Sequence, residues 1–219
     1  MSELPKILVI SPKEMAERRA GAKEHLWSVG LQPTFFSGIY GKDMELRTLH
    51  GQELTVPLTP GRIALGLNHW FLWQHILLAE LPSAIIFEDD VQLPPDFIQW
   101  WHHCMAQTPS DWDLIYMSLL YPERMRDGRI GAVHVNGEVW RHTQANSVDG
   151  ACDGLHAYMI SLRGMEKLKE VRWRLTDHFD RWISFNVLPL MNVYIWYPSV
   201  IAQRKSGLAA GVWKSTIGD

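Results

Sequence analysis

Short apolar runs and helical patterns alternate along the first half of the chain. The run Ile7–Ile10, which Ser11-Pro12 ends, is typical of a strand buried on both faces. Helix-forming residues fill positions 13–28, and Pro33–Phe36 indicates a second short strand. Residues 37–56 follow no clear pattern, so we expect irregular structure there.

The clearest helical pattern begins at Thr59-Pro60, where a threonine at the N-cap precedes a proline at the first helical position. Apolar residues then recur at helical spacing until Pro82 ends the helix. A buried strand, Ala84–Phe87, follows and runs directly into the acidic triplet Glu88-Asp89-Asp90.

The second half mixes these patterns with a hairpin. The predicted elements are a helix from Pro94 to about Ala106, a strand over 113–117, a hairpin around Asn136-Gly137, a strand over 155–161, a helix over 163–171, a helix from Asp177 to about Asn186 capped by Thr176, and a strand over 193–196. Alternating strands and helices predict one α/β domain: a mostly parallel central sheet flanked by helices, with a small antiparallel subregion.

Composition and charge exclude several classes of protein. The chain has 219 residues, with 21 basic and 24 acidic side chains, so it lacks the positive field of a sequence-independent nucleic-acid binder, and we expect no nucleic-acid partner. Two cysteines, Cys104 and Cys152, are too few for a disulfide framework or a structural zinc site, and we expect free thiols in a reducing compartment. Because polar residues interrupt the longest apolar stretch, 63–81, we expect a cytoplasmic protein, with contact at the inner face of the membrane left open.

The acidic triplet is the strongest candidate for chemistry. Ligands of parallel α/β sheets bind at the carboxyl ends of strands, which selects Ser11 and the triplet Glu88–Asp90. Like charges this close raise each other's pKa unless a cation compensates them. Carboxylates two residues apart point the same way on a strand, and their oxygens suit Mn²⁺ or Mg²⁺ while leaving room for phosphate. A solvated acidic loop is the alternative, but the preceding buried strand favours a site for a metal and a diphosphate.

Further motifs occur in a fixed order over nearly the whole chain. They are Ile7–Ser11 with Arg18-Arg19, Phe35-Phe36 before Gly41-Lys42, Leu58–His69 (LTPGRIALGLNH) with Trp73-Gln74, Ala84–Val91 (AIIFEDDV), Gly154–Ser161 (GLHAYMIS) and Asp177-His178-Phe179. In order and spacing they resemble the glycosyltransferases of family 25, which act in lipooligosaccharide biosynthesis and include the collagen galactosyltransferase domains.

This resemblance implies a GT-A-like fold, a UDP-sugar donor (commonly UDP-galactose), a divalent metal, Mn²⁺ or Mg²⁺, and inversion at the anomeric carbon. The acidic triplet matches the metal-binding motif of the family. We assign the metal to Asp90 and Glu88, and Asp89 to the ribose or the donor sugar. Within one domain, 1–219, residues 1–120 would bind the nucleotide sugar and residues 121–219 the acceptor.

The chain departs from the family pattern at a few positions. Arg62 stands where the family often has glutamate, and acidic residues are frequent in the family near Ser37 and Tyr40. These departures leave the identity of the donor and of the acceptor open.

An inverting transfer also needs a base that takes the proton of the incoming hydroxyl. We expect Asp177 to be that base, with Asp180, Asp153 and Asp149 as alternatives. The alternative role of Asp177 is that of a helix cap. Four further residues are assigned to donor binding. They are Ser11, Arg18, His69 and His156. Arg18 would lie near the diphosphate or the uracil. His69 would contact the donor or brace the metal loop, and a purely structural role is the alternative. The late basic loop 203–207, which includes Lys205, could close over phosphates or be a solvated tail.

Tryptophan is unusually frequent, with 11 residues, and either a core of large rings or a platform for a flat ligand explains the excess. We place Trp70 and Trp196 in the core. Four rings are candidates for sugar stacking: Trp73, Trp140, Trp182 and Trp213.

The sequence thus predicts a metal-dependent enzyme that transfers a hexose, galactose first, to a hydroxyl of a glycan or glycolipid acceptor such as lipooligosaccharide. The same chemistry on a hydroxylated protein or a modified DNA base is one alternative. A non-catalytic module that binds nucleotide sugars or glycans is another. The sequence does not predict the oligomeric state.

Overall fold

A computed structural model describes residues 3–43, 58–143, 151–169, 171–173 and 177–204. The strands in this part of the chain are β1 (Lys6–Ile10), β2 (Thr34–Phe36), β3 (Ser83–Glu88), β4 (Val91–Gln92), β5 (Leu114–Tyr116), β6 (Ala132–Asn136), β7 (Val139–His142), β8 (Ala157–Ser161), β9 (Val193–Trp196) and β10 (Ala202–Gln203). The α-helices are α1 (Ala16–Ser28), α2 (Pro60–Leu78), α3 (Phe97–Gln107), α4 (Glu123–Arg126), α5 (Leu162–Lys167) and α6 (Phe179–Asn186), with 3₁₀ turns at Gly41–Asp43 and Leu188–Leu190.

Eight of these strands form one mixed sheet in the order β2-β1-β3-β8-β5-β9-β7-β6. Strands β2, β1, β3, β5, β9 and β6 run one way, and only β8 and β7 oppose them. Strand β8 lies between β3 and β5, both of which precede it in the chain. The predicted α/β architecture, with a mostly parallel sheet and an antiparallel subregion, is confirmed.

Apolar side chains fill both faces of the sheet because the central strands are buried on both sides. On one face, α2 and α6 pack Trp73, Ile76 and Ile183 against Tyr158 and its neighbours. On the other face, α1 and α3 contribute residues such as Leu26, Phe97 and Trp101. The acidic triplet therefore follows a strand that two layers of helices hold in place.

Local signals place the helix ends where the sequence carries a cap. The Thr59 hydroxyl accepts a hydrogen bond from the Arg62 amide at 3.4 Å, and Pro60 opens α2 as predicted. Helix α3 begins at Phe97 instead of Pro94, because the Phe97 amide first closes a turn on the Pro94 carbonyl. Helix α5 ends at Lys167, before the predicted 171.

Helix α6 begins at Phe179 with His178 at its N-cap, so Asp177 precedes the helix that it was expected to open. The predicted cap Thr176 lies outside the described residues, as do Asp149, Lys205 and Trp213.

The tryptophan prediction needs correction. Trp73 is fully buried, and Trp182 is only 5 % exposed, so neither ring presents a face to a sugar. Both pack against Phe179, with ring centroids at 5.4 and 5.6 Å, and Trp173 adds a third ring at 4.8 Å. Trp140 contacts His134 and Tyr197 in the hairpin region. For these rings, the excess of tryptophan is explained by packing.

Two further expectations concern the whole chain. Cys104 and Cys152 are free and buried, and burial raises the pKa of the Cys104 thiol to about 12. Among the described residues, no helix combines the length and the apolar character that crossing a membrane requires.

Candidate active site

The carboxyl ends of β1 and β3 lie side by side, with Ile10 paired to Glu88. Asp89 turns back towards β1, where its Oδ2 accepts a hydrogen bond from the Ser11 hydroxyl at 2.9 Å. The Arg18 guanidinium, from α1, forms an ion pair with Asp89 and lies 3.5 Å from Asp90 Oδ2. Asp89 is thus buried and paired, and it ties the triplet to the first strand and helix.

The charges of Glu88 and Asp90 are only partly compensated by Arg18. Burial, and then the charge of Asp89, raise the pKa of Glu88 to about 7, which Arg18 offsets only in part. Burial, and then the charge of Glu88, raise the pKa of Asp90 to about 7 as well. Asp90 Oδ1 is buried and has no hydrogen-bond partner among the described residues.

A chain of buried polar groups lies beneath Glu88. The Trp73 indole donates a hydrogen bond to the Tyr158 hydroxyl at 2.7 Å, and that hydroxyl lies 3.0 Å from His69 Nδ1. His69 Nε2 is 3.5 Å from Glu88 Oε1. Burial lowers the pKa of His69 to about 3, so the imidazole is neutral at physiological pH. His69 therefore braces the acidic loop from inside the core.

An open cavity of about 520 Å³ lies above the carboxyl end of β3. Four carboxylates line it, namely those of Glu88, Asp90, Asp153 and Asp180. The rest of the lining combines basic, apolar and aromatic residues: Arg62, Arg181, Arg204, His178, Leu65, Leu120, Tyr121, Gly154, Leu155, Phe179 and Gln203. The cavity therefore offers acidic, basic and flat apolar contacts to one ligand.

Asp153 and Asp180 approach the cavity from the second half of the chain. Asp153 pairs with Arg124 at 2.6 Å, whereas Asp180 accepts hydrogen bonds from the amides of Arg181 and Gly154, at 2.8 and 3.3 Å. Gly154 adopts φ +99, a left-handed conformation that favours glycine, and this lets its amide reach Asp180. Burial, and then the charge of Asp180, raise the pKa of Asp153 despite Arg124.

Close packing on α2 fixes the segment that carries Asp180. A side chain at Gly66 would clash with the Trp173 ring at 2.3 Å and with Phe179 Cβ at 2.9 Å. Glycine thus lets the start of α6 lie directly on α2, and Phe179 stacks on His69 with centroids 6.0 Å apart. This contact connects Asp180 to the support beneath Glu88.

The structure brings together only part of the predicted site. Glu88, Asp90, Asp153 and Asp180 line the cavity, while Ser11, Arg18, Asp89 and His69 support the acidic loop from behind. Two predicted residues do not line it: Asp177, whose carboxylate accepts from the His178 amide at 2.7 Å, and the buried His156.

Sequence reasoning missed Leu120, Tyr121 and Arg181. The first two follow β5, so the sheet-edge rule that selected Ser11 could have found them. Of the late basic loop, Gln203 and Arg204 line the cavity.

The triplet fits a divalent cation in part. Glu88 and Asp90 offer hard oxygen donors with raised pKa values, and Asp90 Oδ1 is a buried acceptor without a partner. No group of three His, Cys, Asp or Glu side chains within the described ranges forms a complete metal site. Further ligands would have to come from phosphate oxygens or water, as is usual for Mg²⁺ sites that bind phosphorylated substrates.

Comparison with known proteins identifies the family to which the chain belongs. The profile of glycosyltransferase family 25 (LPS biosynthesis protein) matches residues 4–180, which include the acidic triplet and Asp180. The chain belongs to this family, and the resemblance found in the sequence is confirmed.

Two relatives illustrate the match. Procollagen galactosyltransferase 1-A of Xenopus laevis is 26 % identical over 74 % of this chain and 27 % of that protein. A glycosyltransferase 25 family member of Drosophila melanogaster is 24 % identical over 89 % of this chain and 36 % of that protein. The chain thus spans about a quarter to a third of the length of these relatives.

Solved structures resemble the chain more distantly. The match with A197 from STIV covers 90 % of this chain and 83 % of the A197 chain, with a TM-score of 0.46 and 11 % identity. The match with a glycosyltransferase involved in the glycosylation of the major capsid of PBCV-1 covers 87 % of this chain and 81 % of that chain, with a TM-score of 0.41 and 12 % identity.

Proposed function

We propose that the protein is a metal-dependent inverting glycosyltransferase that moves a hexose from a UDP-sugar to a hydroxyl of a glycan acceptor. The observation that carries this proposal is the cavity in which Glu88 and Asp90 lie with a second pair of carboxylates, Asp153 and Asp180. Such a site can hold a charged donor at one end and deprotonate an acceptor at the other. Family membership supports the reaction class.

Glu88 and Asp90 are the proposed metal ligands. Their raised pKa values reflect negative charge that the described residues leave uncompensated, and a divalent cation with a diphosphate would compensate it. When bound, the cation would stabilise the charge that develops on the leaving diphosphate. Asp89, which Ser11 and Arg18 hold, keeps the loop in position.

Asp180 is the proposed base. It lines the cavity, and within the described residues its carboxylate accepts from two backbone amides and pairs with no cation, whereas Arg124 holds Asp153. Asp177, which was expected to be the base, lies outside the cavity lining and accepts a bond from its own neighbour. A carboxylate near the acceptor hydroxyl can take its proton as the new glycosidic bond forms.

The donor and acceptor are proposed from the family. Several relatives are procollagen galactosyltransferases, which favours UDP-galactose as the donor. The family description names LPS biosynthesis, which favours a lipooligosaccharide glycan as the acceptor, and a hydroxylated protein is the second candidate.

The central test compares Asp90→Ala with Asp96→Ala, a matched change at an exposed aspartate whose side chain makes no capping bond. In wild type, Mn²⁺ should stimulate slow hydrolysis of UDP-galactose without acceptor. Asp90→Ala should reduce this turnover by about 100-fold or more, since removing a group that stabilises transition-state charge costs that much. Asp96→Ala should keep it.

The same assay separates an enzyme from a binding module. Binding of UDP-galactose with Mn²⁺ but no turnover, even with glycan acceptors added, would favour the non-catalytic alternative. If Asp90→Ala retained both donor binding and metal stimulation, the proposed metal site would be wrong.

A further inference from the structure

One side of the cavity is basic. Arg62, in the first turn of α2, and Arg181, in the first turn of α6, both line it, and His178 lies between these elements. Arg62 Nη1 is 3.0 Å from His178 Nε2, and since a guanidinium can only donate, the histidine nitrogen accepts. We call these three residues the arginine wall.

The two arginines of this wall have no carboxylate partner within the described residues: no acidic side chain lies within 4.0 Å of either guanidinium. The Nε of Arg62 is buried without a hydrogen-bond partner among the described residues, so its hydrogen bond to water is lost and is not replaced. Leaving a buried donor of a charged group unsatisfied is destabilising. A cation in the first turn of a helix is also unfavourable, because the N-terminal end of the helix dipole is positive. An anionic ligand would remove both costs.

The wall does not neutralise the acidic triplet. The cation that lowers the pKa of Glu88 and of Asp90 is Arg18, on the other side of the triplet. Arg181 acts instead on Asp153, in the second half of the chain. The positive charge of the wall is therefore available to a ligand of the cavity and is distinct from the support of the metal loop.

We propose that the arginine wall binds a carboxylate or phosphate group on the acceptor, so that the preferred acceptor is an anionic sugar. This inference rests on the proposed function. Arg181 directly follows Asp180, the proposed base, and the group that a base contacts is the acceptor hydroxyl. An anion held by Arg62 and Arg181 therefore belongs to the molecule that presents its hydroxyl to Asp180.

An apolar surface beside the wall suits the ring of such a sugar. Leu120 and Tyr121 line the same cavity and are 42 % and 40 % exposed. Arg124 lies over the Tyr121 ring, 4.3 Å from its centroid, which fixes the ring in place. A sugar face on Tyr121 with its charged substituent at the wall would use both features.

The test measures binding of three probes by ligand-observed NMR titration, with and without UDP and Mn²⁺. The probes are methyl β-galactoside, its 6-phosphate, and the methyl glycoside of galacturonic acid. Wild type should bind at least one of the two anionic sugars about 10-fold or more tightly than the neutral one, as expected for charge-assisted hydrogen bonds. Arg62→Gln and Arg181→Gln should each remove most of this preference, and Arg62→Lys should restore part of it. Arg172→Gln, an exposed arginine outside the cavity lining, should change nothing.

Affinity for UDP with Mn²⁺ is measured on the same variants. It should stay within about twofold of wild type, because the wall contacts the acceptor. A parallel loss of UDP affinity in Arg62→Gln would place the arginine on the donor and overturn the inference. Equal binding of all three probes by wild type, or binding of neither anionic sugar, would overturn it too. Absence of UDP binding and donor turnover in wild type would instead refute the proposed function.

Discussion

At the scale of single residues, the acidic triplet divides into two tasks. Asp89 points back to Ser11 and Arg18 and holds the loop, whereas Glu88 and Asp90 line the cavity. The strand β3 ends at Glu88, and Asp89 and Asp90 form the turn that follows it, so the turn and not strand alternation sets this division. The carboxylates that share a direction are those available to a cation, and the one between them is paired inside the protein.

The assignment of the base is tested by comparing Asp180→Asn with Asp177→Asn. The amide at 180 can still accept hydrogen bonds but cannot take a proton, so transfer to a glycan acceptor should fall by about 100-fold or more. Binding of UDP with Mn²⁺ should be unchanged. Asp177→Asn should retain transfer, since Asp177 lies outside the cavity lining. The opposite pattern would return the role of base to Asp177.

The buried chain beneath Glu88 offers a second test. Tyr158→Phe removes the acceptor of the Trp73 indole, and the unsatisfied N–H should cost about 1–3 kcal/mol of unfolding free energy. Tyr116 is the matched control, because it pairs with Tyr158 in the sheet, is equally buried, and has a hydroxyl without a partner among the described residues. Urea unfolding should therefore show a large loss for Tyr158→Phe and little change for Tyr116→Phe. Equal effects would contradict the role of the hydrogen bond.

The residues that sequence reasoning found and those that it missed differ in the kind of signal they carry. Glu88 and Asp90 stand out because three carboxylates after an apolar strand are improbable without a ligand. Tyr121 has no such signal of its own: it is one aromatic residue in an irregular stretch, and its place after the predicted strand is the one feature of the sequence that indicates the cavity. The prediction that Trp73 stacks on a sugar is wrong for a related reason. The residue lies beside the apolar stripe of α2, but α6 covers that side of the helix.

At the scale of elements, Asp113 connects β5, α5 and β9 at the amino end of β5, opposite the end that leads to the cavity. Directly before β5, its buried carboxylate accepts bonds from Arg163 and Lys167 of α5, at 2.7 and 2.6 Å, and from the Asn192 amide before β9, at 2.7 Å. Burial alone would raise the pKa of Asp113, but these donors outweigh it and lower the pKa below its ordinary value of 3.8. Folding therefore favours the charged form.

Asp113→Asn should lower the free energy of unfolding at pH 7 by about 2 kcal/mol, since two of the three donors are partly solvated. Because the folded pKa is lowered, this stabilisation is present above the ordinary pKa and is lost as the pH falls through the folded value. Urea unfolding from pH 7 to pH 3 should show wild type and variant converging at the acid end. Asp127→Asn, which alters an exposed ion pair with Arg129, should leave the stability close to that of wild type at every pH. A difference that is independent of pH would contradict this account.

Element boundaries were predictable where the signal is local. Thr59 and Pro60 define the start of α2 within two residues, and Asn136-Gly137 identifies the hairpin. The place of β8 was not predictable, because an antiparallel strand between β3 and β5 depends on contacts far apart in sequence. The start of α6 likewise depends on packing against Gly66 of α2.

At the scale of the whole molecule, the cavity is assembled from separated segments of the chain. There are six: Arg62 and Leu65 of α2, Glu88 and Asp90 at the end of β3, residues 120–121 after β5, residues 153–155 before β8, residues 178–181, and residues 203–204. Strand β10 pairs with β4, directly after the triplet, and the Arg204 amide donates to the Asp90 carbonyl at 2.7 Å. Ligand binding should therefore stabilise the fold as a whole and not one loop.

This coupling predicts a thermal-shift result. A ligand at 100 times its Kd stabilises the native state by about 2.7 kcal/mol, which for a chain of this size raises Tm by about 5–10 °C. UDP with Mn²⁺ should approach that shift. It should also exceed the sum of the shifts for UDP alone and Mn²⁺ alone, because in the proposed site phosphate oxygens would complete the coordination by Glu88 and Asp90. Asp90→Ala should remove the excess and Asp96→Ala should keep it. Additive shifts in wild type would mean that metal and nucleotide bind independently, and the proposed site at the end of β3 would have to be abandoned.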